Sequence, residues 1–239
     1  MARIFVSGST DGLGLATATS LLEQGHEVLV HGRNSERISQ IQPLLNKGAK
    51  AVIGDLSQLA QQISVAEQIN QYGHIDVAIH NAGTTNQQDL FSVNVLAPYV
   101  LSALVPQPTR LIYLSSSMHF DGREKVLEHG SSELTYSDSK LLVTTLSNAI
   151  ANRCPDSYCF SVDPGWVPTK MGGANAPDDF VEGYQTQVWL ATTDILHSLR
   201  SGTYWHHRQC NKPHIAAEDE QFQRNLLKHL EKISGIVLP

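Results

Sequence analysis

Short apolar runs alternate along the chain with longer segments in which apolar residues recur every three or four positions. The runs RIFVSG, EVLVHGR and KAVIGDL show little polar alternation, as expected for strands that are covered on both faces. The segments between them, such as LGLATATSLLEQG, repeat apolar side chains at helical spacing. Strands that alternate with helices in this way run parallel. The pattern therefore predicts an α/β fold, a doubly wound parallel sheet of about seven strands with helices on both faces.

Four details of the pattern refine this prediction. Pro43 lies inside the second helical segment, so we expect that helix to be short or broken. Near the C-terminus, EDEQFQRNLLKHLEKISG has the spacing of a helix that packs on the rest of the fold. No repeat or linker interrupts the order of elements, so residues 1–239 are expected to form a single domain. Loops at about 117–133 and 166–185 are candidates for the walls of a substrate site.

The composition narrows the class of protein. Of the 239 residues, 41% are hydrophobic and 17% are charged, which is typical of a globular chain. The net charge of -6 argues against nucleic acid as a partner, because phosphate binding needs an excess of Lys and Arg. No apolar run is long enough for a membrane span, and no secretory leader is expected. With 3 cysteines and scattered histidines, we expect a cytoplasmic protein without a metal site.

The stretch SGSTDGLG places Gly8, Gly12 and Gly14 between the first strand and the first helix. Gly8 allows a sharp turn, while Gly12 and Gly14 let the backbone approach a pyrophosphate and let the helix pack on the sheet. The free N–H groups at the start of the helix favour the same anion. A three-glycine pattern is weak evidence by itself, and a plain strand–helix turn is the alternative. Its place directly after the first strand favours dinucleotide binding.

The end of the second strand bears on which nicotinamide cofactor is bound. In VLVHGRNSER no acidic residue ends the strand, and Arg33 is the first charge, followed by Asn34. An acid at this place would bind the ribose 2′-hydroxyl of NAD, whereas an arginine pairs with the 2′-phosphate of NADP. Asp11 adds a negative charge near the phosphates and argues for NAD. We therefore predict NADP(H) as the cofactor, with NAD(H) as the alternative.

In TYSDSKLLV, Tyr136 and Lys140 stand four positions apart at the start of a predicted helix, so their side chains lie on one face. Free tyrosine has a pKa of about 10 and is a poor acid or base at neutral pH. A neighbouring positive charge stabilises the phenolate and lowers that pKa. Such a pair is also common by chance in amphipathic helices. It predicts proton transfer beside a nicotinamide only together with the motifs around it.

Those motifs occur in a definite order along the chain. HNAG ends the fourth strand, FSVNVLAPY carries Asn94, RLIYLSSS brings Ser115, Ser116 and Ser117 to the end of the fifth strand, and VDPGWVPTKM follows the sixth. Together with the glycine turn and Y-x-x-x-K, this order resembles the short-chain dehydrogenase/reductase superfamily over most of the chain. The S-S-x-x-H arrangement that ends at His119 is similar to its retinol-dehydrogenase-like and carbonyl-reductase-like members.

The resemblance implies a Rossmann fold and gives roles to individual residues. The catalytic tetrad that it implies is Asn94, Ser116, Tyr136 and Lys140. In this tetrad Asn94 holds a water in a proton relay with Lys140, and Ser116 is chosen by motif register, with Ser115 and Ser117 left open. The cofactor-binding residues, from the resemblance and the reasoning above, are Gly8, Thr10, Asp11, Gly12, Leu13, Gly14, Arg33, Asn34, Asp55, Leu56, Asn81, Ala82, Gly83, Tyr136, Lys140, Pro164, Gly165, Val167 and Thr169.

The predicted function is that of an NADP(H)-dependent oxidoreductase, which interconverts a carbonyl and a primary or secondary alcohol with Tyr136 as general acid and base. The partner is then a small, partly apolar molecule. The resemblance further implies association as a homodimer or homotetramer. The main alternative is a non-catalytic dinucleotide-binding protein that acts through regulatory or interaction partners. Another reaction on the same fold, such as dehydration or epimerisation, is a further alternative.

Overall fold

A computed structural model of the chain describes residues 1–124 and 133–239. Its strands are β1 (Arg3–Val6), β2 (Glu27–Gly32), β3 (Lys50–Ile53), β4 (Val77–His80), β5 (Arg110–Leu114), β6 (Tyr158–Asp163), β7 (Thr203–His206) and β8 (Gln209–Asn211). They form one sheet in the order β3-β2-β1-β4-β5-β6-β7-β8. The chain reverses direction across the sheet between β3 and β4, so a crevice opens at the carboxyl ends of β1 and β4.

Helices cover both faces of this sheet. They are α1 (Gly12–Glu23), α2 (Ser35–Ser39), α3 (Gln42–Asn46), α4 (Leu59–Gln71), α5 (Ala97–Leu104), α6 (Tyr136–Arg153), α7 (Phe180–Thr192) and α8 (Glu220–Ser234). Alternate residues of a strand enter different buried clusters: Phe5 belongs to one, and its neighbours Ile4 and Val6 to the other. This two-sided burial confirms the predicted doubly wound α/β architecture. Within residues 1–124 and 133–239, no helix combines the length and apolarity needed to cross a membrane.

The sheet has one strand more than the seven expected. β8 pairs antiparallel with β7, and His206 faces Gln209 across a two-residue turn. The turn residues His207 and Arg208 have φ values of 45° and 62°. Hairpins of this kind usually carry Gly or Asn in the turn, so the sequence pattern lacks the ordinary signal. Arg208 instead forms an ion pair with Glu182 of α7 at 2.9 Å, which holds the turn from outside the strand pair.

The predicted break at Pro43 is confirmed, since the second helical segment consists of the separate helices α2 and α3. The fourth helical segment is less regular than predicted. It passes through a π-helical turn, Ser92–Leu96, before α5 begins. Pro98 lies in the first turn of α5 and has no N–H to donate to the preceding turn, which favours irregular bonding there. Of the predicted substrate loop at about 117–133, residues 125–132 lie outside the described part of the chain.

The C-terminal segment packs on α6 and forms a hydrogen bond with α5. The Tyr99 hydroxyl on α5 donates to the Ile236 carbonyl at 2.7 Å. On α6, the Asn148 amide donates to the Ala217 carbonyl at 3.1 Å, and that of Asn152 donates to the Gln223 side chain at 2.9 Å. The association implied by the resemblance, if it used these helices, would therefore have to displace the segment that contains α8.

Candidate active site

A cavity of about 400 Å³ opens at the carboxyl ends of the central strands. This is the place where open α/β sheets bind ligands. Its wall contains most of the residues predicted from the sequence. These are Gly8, Thr10, Asp11, Gly12, Leu13, Gly14, Arg33, Asp55, Leu56, Asn81, Ala82, Gly83, Tyr136, Lys140, Pro164 and Thr169. The glycine turn and the Tyr136–Lys140 pair, which are far apart in the chain, thus share one cavity.

The glycine turn is packed directly against the strand end beside it. A Cβ atom at Gly8 would lie 2.9 Å from the Ala82 Cα, and one at Gly14 would collide with the Asn81 side chain and the Gly8 carbonyl. Asn81 donates from its side-chain amide to the Ser7 carbonyl at 2.9 Å. Residues of the N-A-G motif therefore hold the turn in place from β4, and side chains at these two glycine positions are excluded by close approach.

His31 fastens the turn from the other side. The Gly8 N–H donates to Nδ1 of His31 at 3.0 Å, so the opposite nitrogen, Nε2, is the one that donates to the Gly54 carbonyl at 2.9 Å. Burial lowers the pKa of His31 to about 4, and the ring is therefore neutral at physiological pH. The imidazole joins the glycine turn to the end of β3 without adding a charge to the cavity.

Asp11 lies between two cations. One of its carboxylate oxygens accepts from the Gly12 N–H at 2.9 Å and caps α1. The other forms an ion pair with Lys170 and lies 3.8 Å from the Arg37 guanidinium. The hydrogen bond from Lys170 is the main reason why the pKa of Asp11 is lowered. Its negative charge is thus matched locally, which weakens the argument for NAD that the sequence raised.

Tyr136 and Lys140 lie on one face at the start of α6, one turn apart, as their spacing predicted. Thr135 and Asp138 form a capping box that starts the helix at Tyr136. The Lys140 amine donates to the Leu114 carbonyl at 2.8 Å and lies 5.3 Å from the centroid of the Tyr136 ring. The Tyr136 hydroxyl is 4.0 Å from the Met171 sulfur. The two side chains therefore meet between the end of β5 and the loop after β6.

Burial dominates the acid–base properties of this pair. It raises the pKa of Tyr136 to about 12, and the charge of Asp163 acts in the same direction. Burial lowers the pKa of Lys140 to about 8, while Asp163 opposes that shift. The sequence-based expectation that Lys140 lowers the pKa of Tyr136 is not met by the protein groups alone. At neutral pH the chain itself presents a neutral phenol beside an ammonium group.

Comparison with known proteins identifies the family of this chain. A sequence profile of the family described as short chain dehydrogenase matches residues 2–179. The chain belongs to this family. The short-chain dehydrogenase chyC of Penicillium rubens is 37% identical to it over 257 residues, with 100% of each chain covered. The short-chain dehydrogenase chry4 of Gibberella zeae is 35% identical, over 100% of this chain and 99% of that protein. The predicted oxidoreductase class is confirmed.

A solved structure adds a likeness of fold. The active-site complex of RhlG with NADP from Pseudomonas aeruginosa superimposes with a TM-score of 0.70 at 19% identity. The match covers 85% of this chain and 93% of that chain. At this level of identity the comparison supports the architecture of this short-chain dehydrogenase, and residue roles have to be argued from its own geometry.

Five predicted residues lie outside the cavity wall of this dehydrogenase, namely Asn34, Asn94, Ser116, Gly165 and Val167. Three of them have other contacts. Asn34 caps α2 by accepting from the Arg37 N–H at 2.9 Å. The Val167 side chain is buried, and the Gly165 N–H donates to the Asp163 carboxylate at 2.9 Å. These contacts shape the ends of the loops that border the cavity.

Asn94 lies in the π-helical turn just behind the wall. Its side-chain oxygen accepts from the Thr84 N–H at 2.8 Å, and its amide donates to the Thr84 carbonyl and the Ser139 hydroxyl, both at 3.0 Å. Its side chain therefore joins the segment after β4 to α6, instead of bonding its own helix. π-helical turns are frequent at functional sites of enzymes. Asn94 is buried in direct contact with the turn of α6 that bears Tyr136 and Lys140.

The two serines after β5 have different surroundings. The Ser115 hydroxyl is buried against α6 and lies 2.6 Å from that of Thr144. The Ser116 hydroxyl accepts from the Met118 N–H at 3.2 Å and begins the short 3₁₀ turn Ser117–Asp121. His119, which ends the S-S-x-x-H arrangement, is fully buried and fixes this turn. Its Nδ1 donates to the Ser116 carbonyl at 2.7 Å, since its other ring nitrogen accepts a backbone N–H at 2.9 Å.

The wall also contains Ser115, which the sequence left open as the catalytic serine, and Met171, an expected apolar pocket residue. Further residues of the wall were not predicted from the sequence, namely His31, Gly32, Arg37, Ser57, Thr84, Asp89, Val93, Leu114 and Lys170. Some of these wall residues could have been inferred from their neighbours in the sequence, because Lys170 directly follows Thr169, and Arg37 is four positions after Arg33. The pairing of Lys170 with Asp11, 159 positions away, could not be inferred from the sequence.

Proposed function

We propose that this protein is an NADP(H)-dependent oxidoreductase that interconverts a carbonyl and a primary or secondary alcohol, with Tyr136 as general acid and base. One observation carries the proposal. A single cavity brings together a glycine turn at the start of α1 and the Tyr136–Lys140 pair at the start of α6. A phosphate cradle and a proton donor in one cavity are what hydride transfer from a bound dinucleotide requires.

The residues present fit a phosphorylated dinucleotide. The close packing at Gly8 and Gly14 leaves a cradle that side chains would fill, beside the first N–H groups of α1. At the end of β2 the exposed Arg33 and the partly buried Arg37 line the cavity with Lys170. Two arginines at this place suit a 2′-phosphate better than a free hydroxyl. The complex of RhlG with NADP in a similar fold supports the same choice.

The chemistry follows from the protonation states of the pair. The bound nicotinamide supplies or accepts the hydride. Because Tyr136 has a pKa of about 12, it is protonated at neutral pH and can donate that proton to a carbonyl oxygen. Lys140, with a pKa of about 8, is mostly charged and favours the phenolate that remains. From the order of motifs we assign Ser116 to the substrate oxygen and Asn94, which donates to Ser139 of α6, to the water that connects to Lys140.

We place the substrate beside apolar side chains that the fold leaves exposed. Met118 and Phe120 project from the turn after β5, and Trp166 and Met171 from the loop after β6. A small, partly apolar carbonyl compound would cover such side chains. The whole chain, 1–239, then works as one dinucleotide-binding domain whose substrate loops lie at about 117–133 and 166–185.

The experiment is a fluorescence titration of the purified protein with NADPH and, in parallel, with NADH. Tighter binding of NADPH, lost in Arg33→Ala, would support the assignment of the 2′-phosphate site. Turnover is then measured with carbonyl compounds. Tyr136→Phe should abolish it with little change in NADPH binding, and Ser116→Ala should lower kcat more than Ser115→Ala.

The outcomes separate the alternatives. Binding of neither nucleotide would overturn the cofactor site. Binding of NADPH without turnover of any carbonyl or alcohol would favour the alternative hypothesis, a non-catalytic dinucleotide-binding protein. Turnover that survives in Tyr136→Phe would overturn the assigned proton donor.

A further inference from the structure

A buried carboxylate without an assigned role lies behind the Tyr136–Lys140 pair. Asp163 ends β6 and is only 4% exposed. Its carboxylate accepts from the Gly165 N–H at 2.9 Å and from the Tyr204 hydroxyl at 3.0 Å. A charge taken out of water to this extent is costly unless an opposite charge offsets it. A positive charge near Asp163 would offset the cost of burying its carboxylate.

The topology of the sheet places Asp163 beside the strand end that binds Lys140. The strands β5 and β6 are parallel neighbours, and Leu114 pairs with Val162, the residue before Asp163. The Lys140 amine donates to the Leu114 carbonyl at 2.8 Å. The ammonium group and the carboxylate thus lie at the ends of two adjacent strands. Lys140 is itself only 5% exposed, so little solvent screens the attraction between the two charges.

Other titratable groups near Asp163 lie on β7, on the turn after β5 and on α6. On β7, burial raises the pKa of Tyr204, which stays a neutral donor. On the turn after β5, burial lowers the pKa of His119, and its Nε2 is an acceptor and so bears no proton. His206 lies 3.4 Å from the carboxylate and becomes a cation only when protonated. On α6, Tyr136 is a neutral phenol, which leaves Lys140 as the buried cation among the described groups near Asp163.

We propose that Asp163 is a positioning residue of this site, whose buried negative charge keeps Lys140 an ammonium group. Burial by itself drives Lys140 toward the neutral amine, which would neither favour the phenolate nor hold a ribose hydroxyl as a cation. The carboxylate acts on Tyr136 as well and favours its protonated form. Asp163 therefore keeps the pair in the state that donates a proton to a carbonyl. The link to turnover rests on the proposed function, whereas the effect on Lys140 does not.

The direct test is an NMR titration of lysine ¹³Cε signals in the intact protein, with the Lys140 signal identified by its loss in Lys140→Arg. Asp163→Asn removes the charge and keeps nearly the same shape, and its amide oxygen can still accept from the Gly165 N–H. The midpoint of Lys140 should fall by about one pH unit in this variant. Tyr204→Phe is the matched control, because it removes a hydrogen bond to Asp163 and leaves the carboxylate charge. Its Lys140 midpoint should stay at the wild-type value.

A second readout connects the charge to catalysis. With NADPH and 9,10-phenanthrenequinone as the carbonyl probe, the alkaline limb of kcat/KM should move to lower pH in Asp163→Asn by a similar amount. A purely structural role of Asp163 would lower the rate at every pH and leave the limb in place. If the wild-type protein reduces no carbonyl, the proposed function fails while the NMR titration still decides on Asp163.

An unchanged Lys140 midpoint in folded Asp163→Asn would overturn the proposal. If that variant does not fold, Asp163→Ser removes the same charge and offers a hydroxyl to the Gly165 N–H, and its titration is judged in the same way. If the titration midpoint of Lys140 fell as far in Tyr204→Phe as in Asp163→Asn, the proposal would also be overturned. The local geometry, and not the carboxylate charge, would then determine the midpoint of Lys140.

Discussion

The start of α6 is held by a buried carboxylate whose removal should change stability in a pH-dependent way. The Asp138 side chain is 0% exposed and accepts from the Thr135 N–H at 2.8 Å, the Arg123 N–H at 2.8 Å and the Arg123 guanidinium at 2.7 Å. Burial alone would raise its pKa, but these bonds outweigh it and lower the pKa from 3.8 to about 2. Such a difference between folded and unfolded states is worth about 2 kcal/mol at neutral pH.

The sign follows from proton linkage. The folded-state pKa is depressed, so the stabilisation is fully present above the unfolded pKa of about 4 and is lost as the pH falls toward about 2. Asp138→Asn should therefore be about 2 kcal/mol less stable than wild type at pH 7. The difference should shrink to about half of that near pH 3.

Urea unfolding followed by circular dichroism measures this difference at each pH. Arg123→Gln serves as the matched variant, since it keeps the carboxylate and loses the guanidinium. It should lose a smaller amount of stability, because the bonds from Thr135 remain. A gap between wild type and Asp138→Asn that stays constant from pH 7 to low pH would refute the reasoning. The contribution of Asp138 would then be packing or shape, and its charge would be irrelevant.

Three further predictions concern the cofactor site and association. Gly14→Ala should destabilise the fold by about 1–3 kcal/mol and weaken NADPH binding, because the added Cβ would collide with the Asn81 side chain. Thermal unfolding measures the loss of stability, and nucleotide titration measures the loss of binding. Lys170→Ala should leave thermal stability nearly unchanged, since its pair with Asp11 is exposed, and should still weaken NADPH binding; an unchanged dissociation constant would contradict this. In light scattering after gel filtration the protein should have the mass of a single 26.2 kDa chain, because the C-terminal segment packs on α6 and is bonded to α5; a stable dimer formed through these helices would refute the argument.

Much of the architecture follows from local patterns in the sequence. Strand and helix periods differ, so the order of elements and the doubly wound sheet were predictable, as was the helix break at Pro43. The pattern missed β8 because its turn residues, His207 and Arg208, give no hairpin signal. An ion pair with Glu182 supports that turn, and no local rule reveals such a contact.

In the candidate site, too, some features were predictable from the sequence and others were not. The shared face of Tyr136 and Lys140 depends only on helical spacing, and the place of the glycine turn depends only on its position after a strand. Both were accessible from the sequence. The direction of the pKa shift of Tyr136 was not, because it depends on burial and on Asp163, which no residue type or spacing specifies.

The sequence by itself determined the order of strands and helices, the glycine turn, and the pairing of Tyr136 with Lys140, because each depends on neighbours within a few residues. Only the tertiary structure decided which charges meet. Asp163 and the Leu114 carbonyl that binds Lys140 lie at neighbouring strand ends because parallel strands end at one edge of the sheet, and Lys170 reaches Asp11 because the loop after β6 lies beside the start of α1. Electrostatic interactions act through space, so they are set by the packing of distant segments and not by their order in the chain.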